Sequence, residues 1–379
     1  MHTIAVLTTG RQDWGILRST CNELRSGTDL GLTILAGGMA CSPRFGRVVD
    51  DMRAEGFDSI VELDWLSDGD SKLNTVRSCS RALEEIGEAL LDADPDALLL
   101  VGDRYETLAA AQAATLIGKP IAHLHGGEET AGAIDNVMRH AITKMAHLHL
   151  AAQPQYAERL IAMGEAEDTV HVVGAPGCDN LFRADLPDRA ELEAFLKISL
   201  EPPVVIVTLH PTTASADGPR EVHELLAAMD SVPATYVVTL PNVDPGHLRL
   251  REALQSACTQ PRRACVAALG ERRYWGLLRI ADAMVGNSSS GLIEAPAAAL
   301  PVVNIGERQS GRARDANVTD VRVDAHEIAS ALRRALKPAY RQTLRARMVI
   351  LTEPAAPRIV RILREWNPAM PPTKRWSRR

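Results

Sequence analysis

The chain has 379 residues, of which 46% are hydrophobic and 24% charged, the make-up of a folded protein long enough for about two domains. A net charge of −6, from 42 basic and 48 acidic residues, leaves no electrostatic footprint for nucleic-acid binding. Six cysteines lie scattered without a CxxC pair, which excludes zinc fingers and disulfide scaffolds and fits free thiols in a reducing compartment. The N-terminus shows no signal-peptide pattern, and no apolar run approaches a membrane span. The expectation is a soluble, cytoplasmic protein. Aromatic residues make up only 4%, so the core must come from Ala, Val, Leu and Ile, as under central parallel sheets.

In chain order, short aliphatic runs predict buried strands at Thr3 to Leu7, Leu32 to Ala36, Ala97 to Val101, Pro120 to His123, His149 to Ala151 and Val170 to Val173. Between them, helical periodicity predicts helices at Ser80 to Leu91, Tyr105 to Ile117 and Asn136 to Ala146. This is a repeated βα pattern with right-handed crossovers. After a Gly/Pro-punctuated break at Gly174 to Asn180 the pattern restarts. Strands are expected at Pro203 to Thr208, Thr235 to Leu240, Ala283 to Val285 and Pro301 to Asn304, with helices at Arg220 to Met229, Trp275 to Ile280 and Gly291 to Ala299. The fold class is therefore α/β, with two Rossmann-like doubly wound domains, 1–175 and 176–355. A C-terminal helix and basic tail follow at 356–379, the tail read as solvated charge.

Open α/β sheets bind ligands beyond the carboxyl ends of their strands, so polar residues just after a strand carry the most weight. Four such places are rich. In Thr8 to Gly15, Arg11 is placed to meet a phosphate or carboxylate, or else to pair with Asp13 at a helix start. In Gly102 to Thr107, Asp103 reads as a helix cap or, with His125 and Glu128 of the next strand end, as part of an acid/base cluster. Asp135 is placed to cap the following helix, which carries Arg139 and His140. His140, His147 and His149 lack metal-ligand spacing. Third comes His210, in Thr208 to Thr213, followed by Asn242 in LPN. The fourth, Val285 to Glu294, offers Ser288, Ser289, Ser290 and a helix N-terminus to a diphosphate, with Glu294 for ribose hydroxyls. Arg308, Arg312 and Arg314 come just after the next strand and are candidates for the same anion.

Taken together, Gly10-Arg11, GDRYE, HLHGGEETAGAID, RHAITKMAHLH, VTLHP, LPN, GNSSSGLIE and RQSGR resemble, in order, the hydrolysing UDP-N-acetylglucosamine 2-epimerases, a family that includes relatives acting on diacetylated bacillosamine nucleotides. The resemblance implies a glycosyltransferase-B-like fold of two domains facing a cleft. It also implies a UDP-sugar substrate, a homodimer or homotetramer, no nucleic-acid or membrane partner, and no metal or other cofactor. It implies release of N-acetylmannosamine and UDP from UDP-N-acetylglucosamine: a proton leaves carbon 2, UDP is expelled to give a glycal, and water adds. Asp103 and Asp135 match catalytic aspartates of the family. Where some members carry glutamate this chain has His125, with Glu128 three residues on, which leaves the base and the acid open between them. The expectation favours Asp103 and Glu128. Arg11, His210, Asn242, Ser289, Ser290 and Glu294 match nucleotide-contacting positions, and Arg104, Arg139, Ser288, Arg308 and Arg312 complete the expected binding set. The alternatives are the same chemistry on UDP- or GDP-N,N'-diacetylbacillosamine, a glycosyltransferase of the same fold, or a binder without turnover.

Overall fold

The computed structural model describes residues 2–27, 29–67, 71–129, 135–211, 218–241, 247–267, 269–312, 314–347, 353–366, 368 and 374. The chain divides into two compact units. One comprises Met1–Glu129, Ala133–Asp179 and Glu353–Arg379; the other is built from Asn180–Thr352.

The first unit runs β1 (His2–Thr8), α1 (Arg11–Ser26), β2 (Leu30–Gly37), α2 (Val48–Ala54), β3 (Ile60–Leu63), α3 (Lys72–Ala93), β4 (Ala97–Val101), α4 (Tyr105–Leu116), β5 (Ile121–Leu124), α5 (Asp135–Met145), β6 (Leu148–Ala151), α6 (Pro154–Ala162) and β7 (Val170–Val172). Among the described residues its seven strands are ordered β3-β2-β1-β4-β5-β6-β7, all parallel. The central strand β4 is apolar throughout and buried at every position. Each such Leu or Val contributes roughly 1.5–3 kcal/mol by leaving water. Ile4 and Val6 face one core with Trp14, Leu17 and Leu24 of α1, while Ala5 and Leu7 face the other with Ile86 of α3 and Ala109 of α4. That alternation is the period of two expected of a strand covered on both faces.

The second unit runs α7 (Arg189–Leu196), β8 (Val204–Thr208), α8 (Gly218–Ser231), β9 (Thr235–Thr239), α9 (His247–Ala257), β10 (Arg263–Val266), α10 (Glu271–Ile280), β11 (Ala283–Gly286), α11 (Ser290–Ala297), β12 (Val302–Ile305), β13 (Val318–Val321), α12 (Ala325–Ala335) and α13 (Pro338–Arg347). Among the described residues its six strands are ordered β10-β9-β8-β11-β12-β13, again all parallel. Asp188 and Asp324 cap α7 and α12, accepting from the backbone N–H groups of Glu191 and Glu327 at 2.9 Å each.

The chain then returns to the first unit as α14 (Ala356–Glu365), whose Ile359, Val360 and Leu363 join the core beside α1. Asp179 fixes its start by accepting from the N–H groups of Ala355 and Ala356 at 2.6 and 2.8 Å. Three strands, β3, β10 and β13, were not expected from the sequence. All three are edge strands, and each is only partly buried, so none needs a continuous apolar run. Among the described residues no helix is long and apolar enough to cross a membrane.

Candidate functional site

In the first unit the strand order reverses between β1 and β4, which opens a crevice at their carboxyl ends. After β1, Asp13 accepts from the backbone N–H of Thr9 at 3.0 Å and from its hydroxyl. Asp13 thus locks the turn instead of pairing with Arg11, and burial pushes its pKa up in spite of Arg104 and the Thr9 bonds. Arg11 is exposed. Its guanidinium lies against Gly46, where an added Cβ would come within 2.1 Å of Nη2.

After β4, Gly102 turns with φ 75° and donates to Leu124 O at 3.2 Å. His123, fully buried on β5, donates from Nε2 to Gly102 O at 2.8 Å. Burial lowers the His123 pKa to about 3, against the pull of that bond, so the ring is neutral and its tautomer fixed. It pins the turn that presents Asp103. Asp103 does not cap α4; it pairs with Arg139 of α5, which is 3% exposed. Arg104 is held by the buried Glu106, Nε and Nη2 donating at 3.2 and 3.0 Å.

His125 follows β5 in the left-handed region, φ 62°, its N–H on Leu150 O at 3.2 Å. Its Nδ1 lies 2.6 Å from Oε1 of Glu128, and the two residues are 8% and 6% exposed. Among the described residues, Nε2 of His125 is buried without a hydrogen-bond partner. Gly127, φ 78°, lets the turn close against α6: a Cβ there would meet Tyr156 O at 2.4 Å. Arg159 seals it by donating to Gly127 O and pairing with Glu129 at 3.3 Å. Asp135 is the first residue of α5, one turn before Arg139. The structure thus joins Asp103 to Arg139 and His125 to Glu128, on turns after neighbouring strands.

Sequence reasoning missed the support beneath these turns. His149 of β6 pairs in register with His123, and its Nε2 lies 2.9 Å from Glu165. Glu165 also binds Lys144 at 2.9 Å and Lys374. Burial alone would raise the Glu165 pKa, but His149, Lys374 and Lys144 prevail and hold it at about 2. Lys374 also donates to the carbonyls of Thr143 and Lys144 at 2.7 and 3.2 Å, close to the C-terminus of α5, where a cation is favoured. It is therefore not the solvated tail charge expected. The legible signal was the pair of histidines on central strands, each needing a partner once buried.

In the second unit the order reverses between β8 and β11. Gly286, φ 143°, lies so close to β8 that a Cβ would sit 1.9 Å from Thr208 O. Asn287, fully buried, accepts from His210 N–H at 2.7 Å and donates to His210 O at 2.8 Å. Gln309 and Arg308 donate to Asn287 O at 2.9 and 3.1 Å. Ser288, Ser289 and Ser290 follow, partly exposed, as α11 begins. Ser290 Oγ meets the hydroxyl of Tyr274, whose pKa is pushed up by burial and by Glu294. Tyr274 carried no signal in the sequence. Arg308 and Arg312 are half-buried, and Arg314 is spent on Asp320, Nε to Oδ2 at 3.1 Å. Asn242 lies outside the described residues.

Turns of this kind, backbone N–H groups and hydroxyls at a helix start in one unit and ionisable side chains in the other, define an α/β protein equipped to bind an anionic ligand and to move protons. Residues 22–364 match the family described as UDP-N-acetylglucosamine 2-epimerase, and the chain belongs to that family. It is 34% identical over 325 residues to the GDP/UDP-N,N'-diacetylbacillosamine 2-epimerase (hydrolyzing) of Campylobacter jejuni, covering 85% of this chain and 84% of that protein. It is 33% identical over 339 residues to the UDP-N,N'-diacetylbacillosamine 2-epimerase (hydrolyzing) of Legionella pneumophila, covering 89% of each. The fold matches that of UDP-GlcNAc 2-epimerase from Neisseria meningitidis bound to UDP-GlcNAc, with TM-score 0.81 and 17% identity over 97% of this chain and 100% of that one.

Proposed function

We propose that the protein is a hydrolysing sugar-nucleotide 2-epimerase acting on UDP- or GDP-N,N'-diacetylbacillosamine, releasing the nucleoside diphosphate and the free sugar inverted at carbon 2. The observation that carries this is the likeness to two hydrolysing diacetylbacillosamine 2-epimerases at 33–34% identity over most of the chain. A second reading, UDP-N-acetylglucosamine giving N-acetylmannosamine and UDP, is favoured by the family's own description.

In either reading the second unit takes the nucleotide. Ser288, Ser289, Ser290 and Arg308 meet the diphosphate as negative charge develops on it during expulsion. Glu294 takes ribose hydroxyls, with Arg11, His210, Asn242 and Arg312 completing the binding set. The first unit works on the hexose. Asp103, Asp135, and the pair His125 and Glu128 form the proton-transfer set, while Arg139 holds Asp103 in place and Arg104 is steadied by Glu106. The same reading takes the protein to be a cytoplasmic homodimer or homotetramer, which sedimentation analysis tests.

The deciding experiment incubates the purified protein in heavy water with UDP-N-acetylglucosamine and the UDP- and GDP-diacetylbacillosamines, with no acceptor, and follows products by NMR. Expected are free reducing sugar inverted and deuterated at carbon 2, with the highest kcat/KM on a diacetylbacillosamine nucleotide. All three nucleotides recovered intact and unlabelled would overturn the proposal; turnover confined to UDP-N-acetylglucosamine would establish the second reading.

A further inference from the structure

His125 carries two costs at once. A non-glycine residue in the left-handed region is uncommon, even though His is found there more often than most. A buried ring nitrogen without a hydrogen bond adds a desolvation cost. Both fall on the residue just after β5, the strand beside the one that leads to Asp103. The turn is nonetheless built to hold this ring in one state. With Glu128 ionised, its Oε1 accepts from Nδ1–H at 2.6 Å, so neutral His125 presents the lone pair of Nε2, the atom buried without a partner among the described residues. Glu128 is spent on orienting the ring; Nε2 is the atom left to act.

We propose that His125 is the base of the elimination and that Glu128 is a positioning residue acting through it. This rests on the 2-epimerase reading above. The Nε2 lone pair takes the proton from carbon 2, and the C2–H electron pair becomes the C1=C2 bond. The C1–O pair departs with the nucleoside diphosphate. Glu128 stays ionised and stabilises the imidazolium through Nδ1–H, the arrangement by which a carboxylate supports a catalytic histidine. The imidazolium then yields its proton to solvent, and water adds its hydroxyl to carbon 1 and a proton to carbon 2.

Three other charged or titratable groups around this turn are engaged elsewhere, and burial, with Arg139, lowers the pKa of His140 near Glu129 and Arg159. Asp103 pairs with Arg139, His123 binds Gly102 O, and Arg159 pairs with Glu129. None of these bonds goes to Nε2 of His125.

Two substitutions and two readouts test the proposal. H125N suits the turn, because asparagine accepts the left-handed region, and its amide can still donate to Glu128; E128Q keeps an acceptor for Nδ1–H but removes the charge. In side-chain nitrogen NMR of the free protein, the signal lost in H125N identifies His125. Its protonation midpoint is expected to fall by about one pH unit or more in E128Q, since the imidazolium loses its counter-charge. In turnover, H125N is expected to lose roughly 10²- to 10⁴-fold in kcat together with deuterium entry at carbon 2. E128Q should keep the pH-rate profile but carry its acid limb to lower pH. An unmoved midpoint in E128Q, or wild-type deuterium incorporation by H125N, would overturn the proposal. A wild-type enzyme inert on every nucleotide sugar defeats the 2-epimerase reading instead, and the NMR midpoint still decides whether Glu128 governs His125.

Discussion

Asn287→Ala tests how the second unit holds its candidate nucleotide site. Asn287 has no exposed surface, and its amide makes two bonds to the backbone of His210, at 2.7 and 2.8 Å, one in each direction. It thereby ties the turn after β8 to the turn after β11. Alanine strips His210 of both bonds at a part-buried turn. Losing a partner there costs about 1–3 kcal/mol per buried group, and partial refilling by water lowers the sum to about 2–4 kcal/mol. Urea unfolding followed by circular dichroism reads this as a lower midpoint at unchanged slope, and titration calorimetry of UDP reads the loosened turn as weaker binding. Asn287→Asp separates hydrogen bonding from packing, because it keeps the acceptor for His210 N–H but sets a carboxylate oxygen against His210 O. The repulsion raises the carboxyl's folded-state pKa, so the folded state binds more protons than the unfolded one and stability falls as pH rises. The aspartate variant should therefore be about as unstable as the alanine variant at pH 8 and recover on acidification. An alanine variant within about 0.3 kcal/mol of wild type, below the usual effect of a lost buried bond, would refute this account.

Three further outcomes follow from the supporting contacts. His123, lowered to about 3 by burial, binds fewer protons folded than unfolded. Its contribution is complete above the ordinary histidine pKa of about 6.5 and drains away at about 1.4 kcal/mol per pH unit toward 3. His123→Gln should therefore lose its disadvantage against wild type across that window; a difference flat with pH in urea unfolding would contradict it. Lys374→Met removes one of the cations holding Glu165 at about 2, so it should cost about 1–3 kcal/mol above pH 4.5, less than a fully broken buried pair because Lys144 and His149 remain. That cost should close between pH 4.5 and 2, as measured by unfolding midpoints over that range. Gly286→Ala has no room beside Thr208 O, and parting β8 from β11 should lower stability by about 3 kcal/mol or more in thermal unfolding.

Legibility in the sequence followed burial. Strands buried on both faces, such as Ala97–Val101 and Val204–Thr208, are written as unbroken apolar runs and were expected within a residue of where they lie. The edge strands Ile60–Leu63 and Val318–Val321 are exposed or half-exposed at every position, so no continuous apolar run marks them, and four residues of β-branched bias are too short a signal. In the candidate site, strand-end position pointed to Asp103, His125, Glu128 and Ser288 to Ser290 without showing which side chains pair. Asp103 meets Arg139 across 36 positions in sequence, and Glu165 collects His149, Lys144 and Lys374 from three separate segments. Local propensity carries no record of such long-range ion pairs.

Each unit fixes the turns at its strand ends with side-chain bonds, but the chemistry of the fixings differs. In the second unit they are mostly neutral: the amides of Asn287 and Gln309 and the hydroxyls of Tyr274 and Ser290. Neutral groups immobilise backbone N–H dipoles without adding negative charge that would compete with an anion, so Arg308 and the start of α11 set the local potential. In the first unit the fixings are charged or titratable: Asp103 with Arg139, Arg104 with Glu106, and His125 with Glu128. Buried ionisable pairs are a poor way to gain stability, and apolar residues would have closed these turns more cheaply. These three pairs stand at the carboxyl ends of β4 and β5, the placement that the proposed proton transfer requires.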